Sequence, residues 1–273
     1  MKILTKFKKR VLMITQCLDV NYLKRFLICM MMFLVIGLEI PINNVFAVTE
    51  TQKITASDAA AGDVFGEFVA ISSDTVIVGA RLDDDACTSD PNCDSGSAYI
   101  FDFDGTDWGE TQKITASDAA AGDIFGHSVA VSGDTVVVGS TFDDDNGSNS
   151  GSAYVFTRSG ITWTQQAKLT ASDAAAGDFF GETLSVSGDT VVVGSRLDDD
   201  AGDRSGSAYV FEKPLTGWAD TTEDAKLTAS DAAAGDSFGY PVAVSGNIVV
   251  VGSFGNDDNG SDSGSAYIYD IGG

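Results

Sequence analysis

The sequence predicts an all-β protein, a β-propeller of four four-stranded antiparallel blades closed by the N-terminal strand. Three observations predict it. The phrase TASDAAAGD-x-FG recurs at 55–66, 115–126, 170–181 and 228–239, with spacings of 60, 55 and 58 residues between Asp58, Asp118, Asp173 and Asp231. Each copy is followed by a paired apolar run: VAISSDTVIVGA (69–80), VAVSGDTVVVGS (129–140), LSVSGDTVVVGS (184–195) and VAVSGNIVVVGS (242–253). Each then passes through an acidic Gly/Ser loop into SAYIF, SAYVF, SAYVF or SAYIY. Tandem units of this length, rich in short β-branched runs and lacking helical periodicity, are the signature of propeller blades.

The elements follow in order within each unit. Strand one is the VAVS-type segment. A two-residue step such as Gly133-Asp134 turns it back, with Gly supplying the positive φ of a primed hairpin turn. Strand two, TVVVG, is apolar on successive positions, which suits burial on both faces between stacked neighbours. Strand three is SAYVF, and strand four carries the KIT or KLT segment. The DAAAGD segment is short and bounded by Asp and Gly, so it reads as a turn. The repeats run over about 51–110, 111–166, 167–224 and 225–273. The last unit stops at SAYIYDIGG, before a fourth strand, while VTETQKITAS (48–57) is a fourth strand without its own first three. Pairing of the two would complete the fourth blade and close the ring; a chain cut short, or a ring shared between molecules, stands as the alternative. Trp108, Trp163 and Trp218 precede the other fourth strands, and the N-terminal one has no such Trp.

The Phe-Gly pairs at 65–66, 125–126, 180–181 and 238–239, followed by the VAVSGDTVVVG block, resemble the FG-GAP repeat. That resemblance implies the β-propeller seen in integrin α-subunits and in secreted bacterial proteins, and a non-catalytic binding or adhesion role. The Gly-Ala-Pro part of the pattern stands here as Gly79-Ala80-Arg81, Gly139-Ser140-Thr141, Gly194-Ser195-Arg196 and Gly252-Ser253-Phe254, without proline. The family's calcium loop between strands one and two is reduced to SSDT (72–75), SGDT (132–135, 187–190) and SGNI (245–248). Four residues cannot wrap a cation that takes six to eight oxygens, so those calcium sites do not carry over.

Two other acidic loops should share one rim. The loops between strands two and three hold Asp83–Asp85, Asp143–Asp145, Asp198–Asp200 and Asp257–Asp258. The DAAAGD loops hold Asp58, Asp63, Asp118, Asp123, Asp173, Asp178, Asp231 and Asp236. Two readings stand. In one, Asp83, Asp85, Asp143, Asp145, Asp198, Asp200, Asp257 and Asp258 combine with Asp63, Asp123, Asp178 and Asp236 to hold calcium. In the other, these residues only satisfy turns and backbone donors. An EF-hand is not the device, because its sixth position needs Gly and from Asp143 that position is Ser148. DFDGTDW (102–108) resembles a calcium loop in isolation, but its counterparts TRSGITW and EKPLTGW do not, so it reads as a hairpin turn.

Residues 1–47 carry seven Lys or Arg and an apolar run, FLICMMMFLVIGL (26–38), ending at Val45-Phe46-Ala47. This is the pattern of an export signal cleaved after Ala47, with an uncleaved membrane anchor as the alternative because the basic region before the run is long. The run is 13 residues, short of the roughly 20 that a spanning helix needs. Residues 48–273 then hold nine basic and 38 acidic residues, a charge that disfavours nucleic acid and anionic lipid. The expectation is a secreted or cell-surface domain whose partner is an extracellular protein or glycan. Cys87 and Cys93 lie in one longer loop, and in an oxidising compartment a local disulfide is their natural pairing.

Catalysis finds little support. The single His127 is replaced by Glu67, Glu182 and Tyr240 in the other repeats, and no Ser or Cys is grouped with it in a nucleophile motif. The expected class is therefore a non-enzymatic binding module. A purely structural surface or matrix protein is the alternative, and a propeller hydrolase a more distant one.

Overall fold

The computed structural model describes residues 49–85 and 93–272. Contacts divide the chain into Met1–Thr51 and a compact unit, Gln52–Gly273. The expected export signal lies outside the described residues. Among the described residues no helix is long and apolar enough to cross a membrane.

Among the described residues of the compact unit all regular elements are strands. Blade 1 contains β1 (Val69–Ser72), β2 (Thr75–Ala80), β3 (Ser97–Phe103) and β4 (Trp108–Ile114). Blade 2 contains β5 (Ser128–Ser132), β6 (Thr135–Ser140), β7 (Ser152–Ser159) and β8 (Thr162–Leu169). Blade 3 contains β9 (Thr183–Ser187), β10 (Thr190–Ser195), β11 (Ser207–Glu212) and β12 (Ala225–Leu227). Among the described residues blade 4 has only β13 (Phe238–Ser245), β14 (Ile248–Ser253) and β15 (Ser265–Asp270). Strand order is sequential and antiparallel in every sheet.

The strand-one to strand-two hairpins are as tight as the sequence implies. Ser72 pairs with Thr75 and Ser132 with Thr135. Ser73, Gly133, Gly188 and Gly246 all take φ between 52° and 61° at the turn. Successive hairpins are stitched together, because Ser72, Ser132 and Ser187 each accept at Oγ from the backbone N–H of Gly133, Gly188 and Gly246, at 3.1 Å.

Three cores lie between the blades. Ile77, Ala98 and Ile100 of blade 1 meet Val131, Val136, Val138, Phe156 and Trp163 of blade 2. Val137, Ala153 and Val155 meet Val191, Val193 and Phe211 in the same way, and Val192, Ala208 and Val210 meet Val249 and Val251. Strand two is therefore buried on both faces in β6 and β10 and nearly so in β2, which suits a continuous β-branched run, whereas β14 in blade 4 is buried on alternate residues only. A fourth, smaller core has Ile54 and Ala56 packed on Val78, Tyr99 and Phe101 of blade 1.

The Phe-Gly pair joins consecutive blades. Phe125 sits edge-on to Tyr154 and Phe156 of its own blade, at 5.5 and 6.0 Å between centroids. Its amide donates across to the Ser95 carbonyl of blade 1 at 2.9 Å. The following glycine also makes a close approach. A Cβ built on Gly139 would lie 2.1 Å from the Gly181 carbonyl oxygen, and one on Gly79 would lie 2.1 Å from that of Gly126.

The N-terminal segment is not paired with β15 in this structure, so the expected closure is not made among the described residues. It lies instead beside β4. Gln52 donates from Nε2 to the Trp108 carbonyl and accepts at Oε1 from the Trp108 amide, both at 2.7 Å. Gln112 of β4 does the same to Trp163 of β8, at 2.8 Å each way. Gln52 thus stands where the strand four of a preceding blade would stand. Ile54 and Ala56, packed into the blade 1 core, hold it there.

Candidate functional site

The two kinds of acidic loop meet on one rim, and each meeting point is built around a lysine. In blade 1, Lys113 Nζ of β4 lies 2.8 Å from Asp58, 3.0 Å from Asp83 and 2.5 Å from Asp85. Lys168 of β8 holds Asp118, Asp143 and Asp145 at 2.8, 2.9 and 2.5 Å. Lys226 of β12 holds Asp173 at 2.5 Å and Asp198 at 3.1 Å, and also contacts Asp200. The strand pairing creates this arrangement. Tyr99 is opposite Lys113, Tyr154 opposite Lys168 and Tyr209 opposite Lys226. Each ammonium therefore lies 5.2 Å from the centre of its tyrosine ring. The Tyr99 hydroxyl lies 2.7 Å from oxygens of both Asp58 and Asp83, which share its single proton.

The electrostatics follow from this packing. Burial opposes the charge on Lys113 and Lys168, but their carboxylate partners outweigh it and hold both ammonium groups above the ordinary lysine range. Asp58 feels some burial, yet the bonds from Lys113 and Tyr99 bring its pKa down to about 2. Asp118 and Asp173 are lowered for the same reasons. Burial drives the Tyr154 and Tyr209 hydroxyls upward, and the facing carboxylates add to it, so both remain proton donors.

The structure sorts the acidic residues into different jobs. Asp83, Asp143 and Asp198 are buried at the centre of the clusters, while Asp85, Asp145 and Asp200 lie on their exposed side. From the DAAAGD loops it is the first aspartate that joins: Asp58, Asp118 and Asp173. The second folds back into its own turn. Asp63, Asp123, Asp178 and Asp236 accept at Oδ2 from the amides of Ala60, Ala120, Ala175 and Ala233, at 2.6 to 2.9 Å. The middle residue of each triplet braces its own loop, with Asp144 accepting from the Asn149 amide and Asp257 from the Asp262 amide. In blade 4, Asn256 stands at the buried place, and Asp258 lies beside Asp231 with no lysine among the described residues. Shared proximity raises the Asp258 carboxyl, first through its hydrogen bond with Asp231 and then through that neighbour's charge.

Each trio Asp58–Asp83–Asp85, Asp118–Asp143–Asp145 and Asp173–Asp198–Asp200 offers carboxylate oxygens within 4.8 Å of one another, close enough for a metal ion. The lysine ammonium is already the resident cation in all three. A divalent ion would have to displace it.

The buried turn aspartates give the domain a distinct pH dependence. Burial pushes Asp123 and Asp178 up to about 6, against the opposing bonds from Ala120 and Ala175. A raised carboxyl pKa contributes stability that is complete below the unfolded value, roughly 4, and lost as pH rises through the folded one. The depressed Asp58, Asp118 and Asp173 act oppositely and lose their contribution as pH falls. The melting temperature should therefore peak on the acid side of neutrality. Asp123→Asn with Asp178→Asn should flatten the fall toward neutral pH, which for each site is on the order of 2 kcal/mol. Melting curves across this range check it; an unchanged slope in the double variant refutes the assignment.

His127 is half-buried beside Phe68, with rings 5.2 Å apart, and its Nδ1 lies 2.9 Å from Thr141 Oγ1. Burial lowers its pKa. The same place in the other blades holds the ion pairs Glu67–Arg81 and Glu182–Arg196 and the ring contact Tyr240–Phe254. These are four solutions to one packing position. Cys93 is buried and not a free thiol, whereas Cys87 lies outside the described residues. Asp104 accepts at Oδ1 from the Thr106 and Asp107 amides at 2.8 and 2.9 Å, so DFDGTDW forms a turn.

The lysines are the part of the site that sequence reasoning missed. Their signal was present, because Lys113, Lys168 and Lys226 recur at one place in every strand four, with Lys53 in the matching N-terminal phrase. No curated protein matches this chain. The model of the FG-GAP repeat matches residues 48–101, 108–156, 163–211 and 221–269. Those matches cover most of the chain, each running from one strand four (or the N-terminal segment) through the first three strands of the next blade, and the chain belongs to the FG-GAP repeat family.

Proposed function

We propose that this chain is an exported, non-catalytic binding module that engages an extracellular protein or glycan through its acidic rim. One observation carries the reading: equivalent loops from successive blades converge on one rim, and the lysine-centred clusters fix them there. Asp85, Asp145 and Asp200 keep side chains about 60 % exposed on that rim, at 62 %, 62 % and 58 %. A rigid row of exposed carboxylates over paired charges suits a ligand with basic groups or hydroxyls. The Cys87–Cys93 pairing belongs to the same proposal, as a staple on the longest rim loop.

A second reading, cation-dependent adhesion, is favoured by the closeness of the three aspartate trios. Thermal unfolding in calcium and in EDTA, with magnesium as control, separates the two. A ligand that binds only the folded state raises the melting temperature. Under the first reading, calcium and EDTA give the same melting temperature, and saturable binding in a protein and glycan screen is lost when Asp85, Asp145 and Asp200 are changed together to Lys. A calcium-specific rise, abolished by Asp143→Asn with Asp145→Asn, would replace it with the second. No saturable binding to any surface component would refute both and leave a structural role.

A further inference from the structure

The stack of blades ends on two uncovered faces that match each other. On blade 1, Val69 and Ile71 are each 64 % exposed, whereas their equivalents on the other blades are half-buried or buried, Val242 and Val131 being 8 % and 9 % exposed. On blade 4, Ile268 is 73 % exposed, whereas Ile100, Val155 and Val210 are at most 2 % exposed. Within the stack, it is these two kinds of face that bury one another.

The polar groups are missing their partners in the same complementary way. β15 has a neighbour on one edge, while β3, β7 and β11 each carry a fourth strand. The Asp231–Asp258–Tyr267 cluster has no lysine among the described residues, and Lys53 is exposed and in no ion pair among them. Lys53 lies in TQKIT (51–55), the same phrase as TQKIT (111–115), which places Lys113 in the blade 1 cluster. The amides of Phe125, Phe180 and Phe238 donate to Ser95, Ser150 and Ser205 of the preceding blade; the corresponding Phe65 amide and Ser263 carbonyl make no such bond within the described residues.

We propose that two copies of this chain join head to tail, with residues 52–55 of one copy adding as the fourth strand beside β15 of a second. Lys53 enters the second copy's Asp231–Asp258 cluster, and Val69 and Ile71 close over its Ala266 and Ile268. The register follows from blade 1, where Ala98, Tyr99 and Ile100 face Ile114, Lys113 and Gln112. Ala266, Tyr267 and Ile268 accordingly face Ile54, Lys53 and Gln52. Strand addition supplies backbone hydrogen bonds, and the alternate side chains set the register. The contact is heterologous, so each copy retains one free end unless the assembly closes into a ring.

The test is the mass in solution of the purified full chain, by light scattering over a range of concentrations, for the wild type, Ile71→Glu and Ile268→Glu. The wild type should reach at least twice the monomer mass, and each variant alone should be monomeric. Mixed in equal amounts, the variants should give a dimer, because Ile71→Glu keeps an intact β15 end and Ile268→Glu keeps an intact N-terminal end. Lys53→Glu should weaken association about tenfold, and Asp258→Lys on the other copy should restore it. A monomeric wild type, as a chain closed on itself would be, overturns the proposal. So does association that survives both glutamate substitutions, or a mixture that stays monomeric. Circular dichroism of each variant confirms that it is folded.

Discussion

Gly139→Ala is expected to lower the melting temperature by roughly 10 °C, the equivalent of about 4 kcal/mol in a domain of this size. The added Cβ would fall 2.1 Å from the Gly181 carbonyl oxygen and 2.3 Å from Ser128 Oγ. Neither can move freely. The Gly181 carbonyl also accepts from Ser128 Oγ at 2.6 Å, and the Gly181 amide donates to Gly194 at 3.2 Å. Relief thus requires blades 2 and 3 to separate, exposing part of the apolar layer between Val155 and Val193. The control is Gly133→Ser. It takes φ of 55° with open space around it, and Ser73 already adopts φ of 52° in the blade 1 hairpin. That change should cost at most about 1 kcal/mol. Equal losses in the two variants, measured by calorimetry, would show that backbone conformation rather than blade contact sets the cost.

Lys168→Met should destabilise the domain by about 3 kcal/mol at neutral pH, because it leaves a buried carboxylate without its counter-charge. Asp143 is 3 % exposed and would face Asp118 and Asp145 with only the Tyr154 hydroxyl and the Asp145 amide as donors. The pH dependence identifies the cause. Without the ammonium, one carboxyl of the trio should take up a proton more readily. The loss should then shrink as pH falls toward 5, where protonation removes the repulsion. A loss of packing alone would be independent of pH. Lys53→Met is the internal control, since Lys53 forms no ion pair among the described residues. In the monomer it should cost almost nothing.

Most of the fold could be read from sequence because a repeat shows each element four times. The hairpins at Ser73, Gly133, Gly188 and Gly246 stand where the pattern places them, and the second strands of blades 1 to 3 are buried as expected, while β14 is buried on alternate residues only. The rim was also legible, since the DDD and DAAAGD loops do meet. Which aspartates meet was not. Asp58 and Asp63 look equivalent in sequence, but the turn between them aims the second carboxylate at the Ala60 amide. The lysine at the centre depends on strand register, because Lys113 reaches the acids only by lying opposite Tyr99. Register across a sheet edge is a tertiary fact, and a repeat pattern marks the residue without saying what it touches. The N-terminal segment was recognised as a fourth strand, but its preference for the near end of the stack lay in Ile54 and Ala56 filling the blade 1 core.

Each lysine cluster draws on distant parts of the chain: Asp58, the pair Asp83 and Asp85, and Lys113 are one such set. The next set uses nearly the same words one repeat later. A strand four that docks on the wrong blade therefore meets almost the same hydrogen bonds, charges and apolar side chains as on its own. Local affinity cannot tell neighbouring units apart, and connector length becomes the main discriminator between correct and shifted assembly. During synthesis the ambiguity is smallest, because each new strand four emerges when only earlier blades compete for it. Released from a fully denatured state, the same chain chooses among several near-equivalent partners at once.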